Sequence, residues 1–337
     1  MYIIFSEKDD KQTNEIIDRL LFYDKEVNRY NEDFNETQLK ELSGFFRSLK
    51  ITINSELSIK GNKLAIYHRR PIPTLISLLL ERELVETDIV YPNFKKDSRY
   101  FRLLKTNYLT HQSRFYEIVL NNPNYTICKI DHRVNKLDVL IKASELGMDV
   151  PNTLVSGDRE EIIKFFQECN ENIITKSLYA IIPSYNGNDE GFILKSYTEP
   201  VEDVEMIPEH CFPAFFQQNI EKAYEVRVFF LDGKCYSAAI LSQTNNTSHV
   251  DYRREDMENP SRIVPYNLNS KTKSQIIKLM KVVGLNTGSL DFIIGQDGKT
   301  YFLEVNPVGQ YGFINSACNF KISDDIAKKM IQFHERQ

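Results

Sequence analysis

Apolar and polar positions along this chain follow two periods, and the changes from one to the other mark its elements. Tyr2 to Phe5 is a short apolar run that reads as a strand. A helical spacing follows from Glu15 to Leu21, and then a polar stretch, NRYNEDFNET, that reads as a loop. The segment KLAIYHRRPIPTLISLLLERELVETDIVY reads as a strand, a basic turn and an apolar helix. From Tyr125 the pattern gives a strand, TICKID, and a helix, NKLDVLIKASELG, with apolar Leu137, Leu140 and Ile141, capped by Gly147 and stopped by Pro151. A second helix near Glu160 to Glu168 precedes the strands NIITKSLYAI and GFILKSYT, which flank the turn SYNGNDEG. Strands mixed with helices of this length predict an α/β (α+β) protein.

Two Asp-Gly pairs between alternating strands, Asp232-Gly233 and Asp297-Gly298, are strong hairpin signals. With a two-residue loop at Asp297-Gly298, residue 296 faces 299, and counting back along the ladder sets Asp291 against Glu304. Asn306 falls two residues further on the same face, because strand side chains alternate with period two. The other face, Phe292, Ile294, Tyr301, Leu303 and Val305, is expected to be core. The first hairpin, EVRVFFLDGKCYSAAI, sets Glu225, Arg227, Phe229 and Leu231 on one face and Val226, Val228 and Phe230 on the other.

Composition narrows the class of function. The chain has 337 residues, 42% hydrophobic and 26% charged, which suits two or three packed lobes and excludes wholesale disorder. A net charge of −5 argues against nucleic-acid binding, which needs a basic excess to displace counterions. The five cysteines are widely spaced without a CxxC pair, so a reducing, cytoplasmic setting is expected rather than a disulfide framework. MYIIFSEKDD turns acidic too early for a signal-peptide core, and no apolar run is long enough to span a membrane. The six histidines lack HxxxH or HxH spacing, so a transition-metal site has little support.

The chemistry therefore centres on the hairpin carboxylates. Like charges placed directly opposite repel unless a cation lies between them. Two carboxylates and an amide oxygen suit a hard cation such as Mg²⁺, which keeps part of its shell for phosphate and water. The alternative is a hairpin end with solvated acids. Arg227 beside Glu225 is either a local ion pair or a planar donor for a transferring phosphoryl group. Lys136 opens its helix, where the helix dipole disfavours a cation unless an anion is near. Lys176 shares a strand face with Ile174 and Leu178, so its ammonium either snorkels to water or meets an anion. The two lysines together, ahead of a carboxylate hairpin, point to a nucleotide held by lysines and Mg²⁺.

The series NKxxxxxxASELGMDVPNT, ITK, FPAFFQQNIEKAYEVRVF, GSLDF and FLEVNP resembles the ATP-grasp ligases, which activate a carboxylate as an acyl phosphate with ATP. The resemblance implies an ATP-grasp fold with an N-terminal α/β domain (1–125), a central lid domain (126–215) and a C-terminal domain (216–337). It implies that Asp291, Glu304 and Asn306 hold Mg²⁺, that Lys136 and Lys176 contact ATP phosphates, and that Arg227 assists transfer. Gln217, Gln218 and Ile220 would belong to the adenine hinge, Glu225 or Glu221 would bind ribose, and Leu303 would pack beneath the base.

TEPV (198–201), HVDYRRED (249–256), NPVGQYGF (306–313) and YHRRP (67–71) further resemble the graspetide synthetases, microviridin-type enzymes that cyclise ribosomal peptides. That resemblance implies a precursor-peptide partner, formation of an ester or amide from Asp or Glu side chains, and a homodimer. His68-Arg69-Arg70 and Arg253-Arg254 become candidates for holding acidic side chains, with Arg254 as a catalytic candidate. SYNGNDEG becomes a lid expected to order over the phosphates. Two other readings stand beside this one: a ligase that adds free amino acids to a protein or metabolite, and a nucleotide-binding module without turnover.

Overall fold

The structure, a computed structural model, describes residues 1–31, 36–53, 57–60, 63–69, 106, 114, 117–122, 124–128, 134–176, 183–185, 191–193, 198–201, 203–242 and 261–337. The chain divides into two compact units. The first comprises Met1–His132, Leu285–Gly288 and Lys321–Gln337, and the second comprises Arg133–Gly284 and Ser289–Phe320.

The first unit contributes β1 (Tyr2–Phe5), α1 (Lys11–Phe22), β2 (Val27–Tyr30), α2 (Glu36–Ser48), the hairpin β3 (Lys50–Ile53) and β4 (Leu57–Lys60), β5 (Ala65–His68) and β6 (Thr126–Ile127). Its four-stranded sheet has the order β2-β1-β5-β6, with every pairing parallel. Strands β1 and β5 are buried at every position, as parallel strands covered on both faces must be. The Asp10 side chain caps α1 by accepting from the Thr13 amide. Tyr23 donates to Asp324, and Ser323 donates to Glu15, which ties α1 to the helix Ile322–Glu335.

Two expectations change in this unit. Part of the supposed polar loop NRYNEDFNET is strand: Asn28, Arg29 and Tyr30 run parallel to β1 in β2. This edge strand is only partly buried, so it lacks the apolar run that betrays its neighbour. The supposed basic turn is internal at His68 and Arg69, which are 2% and 1% exposed. Arg69 pairs through Nε with Asp10 Oδ2 at 3.2 Å and donates from Nη2 to Gln12 at 2.7 Å. It therefore braces its own unit rather than offering a solvated charge. Arg70 and Pro71 lie outside the described residues.

The second unit begins with α3 (Lys136–Glu145), β7 (Thr153–Asp158), α4 (Arg159–Glu168), β8 (Ile173–Lys176), β9 (Pro183–Tyr185), β10 (Gly191–Ile193), β11 (Glu199–Pro200) and β12 (His210–Gln218). There follow β13 (Lys222–Leu231), β14 (Lys234–Leu241), β15 (Arg262–Pro265), α5 (Ser270–Val282), β16 (Thr287–Gly295), β17 (Thr300–Asn306) and α6 (Gly312–Ala317); α7 (Ile322–Glu335), which closes the chain, belongs to the first unit. One antiparallel sheet has the order β11-β8-β12-β7 and a second the order β15-β14-β13-β16-β17. The first is backed by α4, whose Ile162 and Phe165 bury against Ile173 and Phe216. The parallel and antiparallel sheets together confirm the α/β (α+β) class. Among the described residues no helix is long and apolar enough to cross a membrane.

The two Asp-Gly turns behave differently. At Asp232-Gly233 both residues have positive φ, 43° and 94°, and Leu231 faces Lys234, so this is the two-residue turn the sequence predicts. At Asp297-Gly298 the loop holds three residues: the Gly295 amide donates to Lys299, and Gly298 alone carries positive φ, 76°. Phe292 therefore faces Phe302, Ile293 faces Tyr301, and the pairing is one step off the expected register. A bulge at Leu303 then takes up the extra residue, and beyond it Asp291 faces Glu304 and Ser289 faces Asn306. The expected carboxylate pair forms because two deviations cancel. The core face is corrected with it. Phe302 is fully buried in edge contact with Phe292, Tyr301 and Leu303 are only partly buried, and the Tyr301 hydroxyl donates to Asp297.

Candidate active site

A cleft opens within the second unit between its four-stranded and five-stranded sheets. Strands β8 and β12 supply Ile174, Lys176, Gln217 and Gln218; the turn after β12 supplies Asn219 and Ile220; and β13 supplies Lys222, Glu225, Val226 and Arg227. Asp291, Ile293, Leu303 and Glu304 line it from the carboxylate hairpin, with Lys136 from the start of α3. Alternation on β12 explains the polar entrance: Phe216 turns into the α4 core, while Gln217, 1% exposed, turns the other way. Its amide is fixed at both ends, accepting from Lys176 Nζ at 3.1 Å and donating to Thr153 at 2.9 Å. Lys176 also lies 5.0 Å from the Phe215 ring centroid, so its ammonium meets protein partners rather than only water.

The carboxylates are held by cations. Arg227 Nη1 donates to Asp291 Oδ2 at 2.8 Å, and Lys136 Nζ stands 3.4 Å from Glu304 Oε2. Asn135 caps α3 by accepting from the Leu137 amide, which aims the first turn, and Lys136 with it, at β17. The helix-start lysine thus finds an anion in Glu304. Arg227 is 6% exposed and its guanidinium carbon lies 5.5 Å from the Phe313 ring centroid. Phe313 belongs to α6, and the adjoining Tyr311, fully buried, packs on Phe229 at 4.7 Å. The guanidinium thus lies between a carboxylate and an aromatic ring.

The donor set fits a hard divalent cation, since oxygens from Asp291 and Glu304 face each other across one ladder step. Asn306 shares their face but does not line the cleft; its Oδ1 accepts from the Val308 amide at 3.1 Å. Among the described residues no three His, Cys, Asp or Glu side chains form a metal-binding group, so a cation here would complete its shell with other oxygens. Glu225 lines the cleft, whereas Glu221 is exposed and contributes its carbonyl to Gln296 instead. Arg254, with HVDYRRED, lies outside the described residues, as does most of SYNGNDEG.

Sequence reasoning missed Lys222 and Phe313 as individual residues. Lys222 is 6% exposed and pairs with Glu225 at 2.6 Å, although residues three apart on an ideal strand point to opposite faces. Phe313 was visible only as the end of NPVGQYGF.

Residues 130–333 match the family model described as a RimK-like ATP-grasp domain. Among solved structures, the macrocyclase MdnC from Microcystis aeruginosa MRC, bound with precursor peptide MdnA, aligns at 23% identity and TM-score 0.66, covering 98% of this chain and 99% of its own. A Chryseobacterium gregarium RiPP-associated ATP-grasp ligase in complex with ADP and a leader and core peptide aligns at 17% identity and TM-score 0.68, over 98% and 96%. The ATP-grasp ligase PsnB, complexed with a phosphomimetic variant of its minimal precursor, Mg and ADP, aligns at 16% identity and TM-score 0.63, over 98% of each chain. At these identities the likeness establishes the fold. A comparison with curated protein sequences returned no match.

Proposed function

Since this chain belongs to the RimK-like ATP-grasp family, we propose that it is an ADP-forming peptide macrocyclase that joins Asp or Glu side chains of a ribosomal precursor to Ser or Thr hydroxyls or Lys amines. The observation that carries the reading is the cleft itself, where two facing carboxylates sit among Lys136, Lys176 and Arg227. The full-length fold similarity to a macrocyclase bound to its precursor supports a peptide as the substrate.

Chemically, a carboxylate is a poor acyl donor because hydroxide is a poor leaving group. Phosphoryl transfer from ATP to a carboxylate oxygen releases ADP, and a hydroxyl or amine then attacks the carbonyl and expels phosphate. Asp291, Glu304 and Asn306 would hold Mg²⁺, which supplies charge neutralisation for the phosphates. Lys136 and Lys176 would screen the same charge as the negative peptide side chain approaches. Arg227, beside the Phe313 ring, would offer a fork of donors to the transferring group. Gln217, Gln218 and Ile220 form the hinge for the base, with Leu303 against its face. The cytoplasmic setting and the homodimer belong to the same proposal.

The test is mass spectrometry of the peptide encoded beside the gene after incubation with enzyme, Mg²⁺ and ATP. Each turnover should remove one water mass from the peptide and release one ADP, and alkaline hydrolysis should open esters but not amides. Glu304→Gln should keep the melting temperature and end ADP release. A gain of one glutamate mass would assign the chain to the amino-acid ligases, and nucleotide binding without ADP release would make it a binding module.

A further inference from the structure

We infer that Lys222, with Ser242, is the positioning pair that makes the cleft selective for a ribonucleotide over a deoxyribonucleotide, by fixing the Glu225 carboxylate as an acceptor for the sugar hydroxyls. The inference rests on the nucleotide reading above and deepens it.

Lys222 should not reach Glu225 on a regular strand, because residues three apart face opposite ways. The start of β13 lies outside the ladder to β14, which begins at Glu225 opposite Ile240; there the Glu221 and Lys222 carbonyls accept from the Gln296 backbone and side-chain nitrogens at 2.8 and 3.4 Å. The Lys222 side chain nonetheless brings Nζ to 2.6 Å from Glu225 Oε1, with both residues more than nine-tenths buried and both lining the cleft. On the other oxygen, Oε2 accepts from Ser242 Oγ at 3.3 Å, and Ser242 is fully buried.

Stability alone is a poor reason for this arrangement. Desolvating two charges offsets their attraction, and an apolar pair of similar volume often serves the fold as well or better. What the arrangement supplies is a charged acceptor held at both oxygens, which sets its tilt and its twist. A charged, preoriented acceptor makes a stronger bond to a hydroxyl than a neutral one does. Val226 and Ile240, lining the cleft beside it, offer no competing polar group. Removing the Lys222 ammonium leaves the carboxylate's charge uncompensated in a buried place, so the group must move or neutralise.

The experiment measures binding of ADP and of 2′-deoxy-ADP, with Mg²⁺, by calorimetry. Wild type should prefer ADP by about tenfold, the worth of one hydrogen bond to a charged group. Lys222→Met should cut that preference to about twofold or less, and Lys222→Arg should restore most of it. If Lys222→Met does not fold, Ser242→Ala loosens the same carboxylate without stranding a charge and should cut the preference by about threefold. A purely structural role would weaken both nucleotides by the same factor, and an unchanged ratio in the folded variants overturns the inference. So does a wild type that binds the two nucleotides equally. A wild type that binds neither nucleotide instead overturns the nucleotide reading, and the inference falls with it.

Discussion

Arg69 shows how far a single side chain can depart from what its neighbours in sequence suggest. Beside His68 and Arg70 it reads as part of a basic turn, yet it is 1% exposed and its Nε meets Asp10, itself 5% exposed at the side chain, at 3.2 Å. Burial of a guanidinium is tolerated only with such a partner, and removing one member of a buried pair typically costs about 3–5 kcal/mol because the other charge is stranded. Arg69→Ala should therefore lower the denaturant midpoint strongly through the stranded Asp10. Arg69→Ala/Asp10→Ala together should recover part of the loss. A variant with normal stability but impaired peptide turnover would return Arg69 to the substrate-binding role. At the same scale, burial pushes the Cys235 thiol up to about 11, against the pull of Lys273, so Cys235 is poorly suited to act as a nucleophile near neutral pH.

At the scale of elements, the helices α1, α3 and α4 were legible from their helical spacing, α3 also from Gly147 and Pro151 at its end, and the first hairpin from Asp232-Gly233, whose two residues both take positive φ. The caps at Asp10, Asn135 and Asp158 that start these helices are visible only in the structure. The carboxylate hairpin was legible only in its outcome. A three-residue loop and a bulge shift the register by one step each in opposite senses, and no pattern of polar and apolar residues announces either, since Tyr301, Phe302, Leu303 and Val305 are all acceptable in a core. The bulge decides which side chain does what. Phe302 becomes core and Leu303 becomes cleft wall, where strict alternation from a two-residue loop assigns them the other way. Adjacent substitutions should separate these roles. Phe302→Ala should cost about 3–5 kcal/mol of stability, as for a fully buried aromatic. Leu303→Ala should cost about 1 kcal/mol or less and weaken ADP binding several-fold. Urea unfolding and calorimetry on the two proteins read both effects; equal losses of stability would restore the regular register.

For the whole molecule, net charge opposes the proposed ligands: 42 basic against 47 acidic residues should repel ATP and an acidic peptide alike. The cleft reverses the balance locally, with Lys136, Lys176, Lys222 and Arg227 against Glu225, Asp291 and Glu304. Three of its cations pair with its own acids: Arg227 with Asp291 at 2.8 Å, Lys136 with Glu304 at 3.4 Å and Lys222 with Glu225 at 2.6 Å. For Asp291 and Glu304 to serve a divalent cation, Arg227 and Lys136 must give them up, and that exchange is costly unless nucleotide phosphates receive the two released charges. Metal and nucleotide should therefore bind with positive coupling, and linkage makes the factor the same in both directions. On the proposed reading, ADP should raise Mg²⁺ affinity by about tenfold or more, an ordinary coupling for two linked sites. Lys136→Gln, which removes the competitor at Glu304, should strengthen binding of Mg²⁺ alone and shrink the coupling. Calorimetric Mg²⁺ titrations with and without ADP, corrected for Mg–ADP association in solution, measure both quantities. If Mg²⁺ binds the ligand-free protein as tightly as the ADP complex, the ion pairs do not guard the carboxylates, and the metal role of Asp291 and Glu304 loses its physical basis.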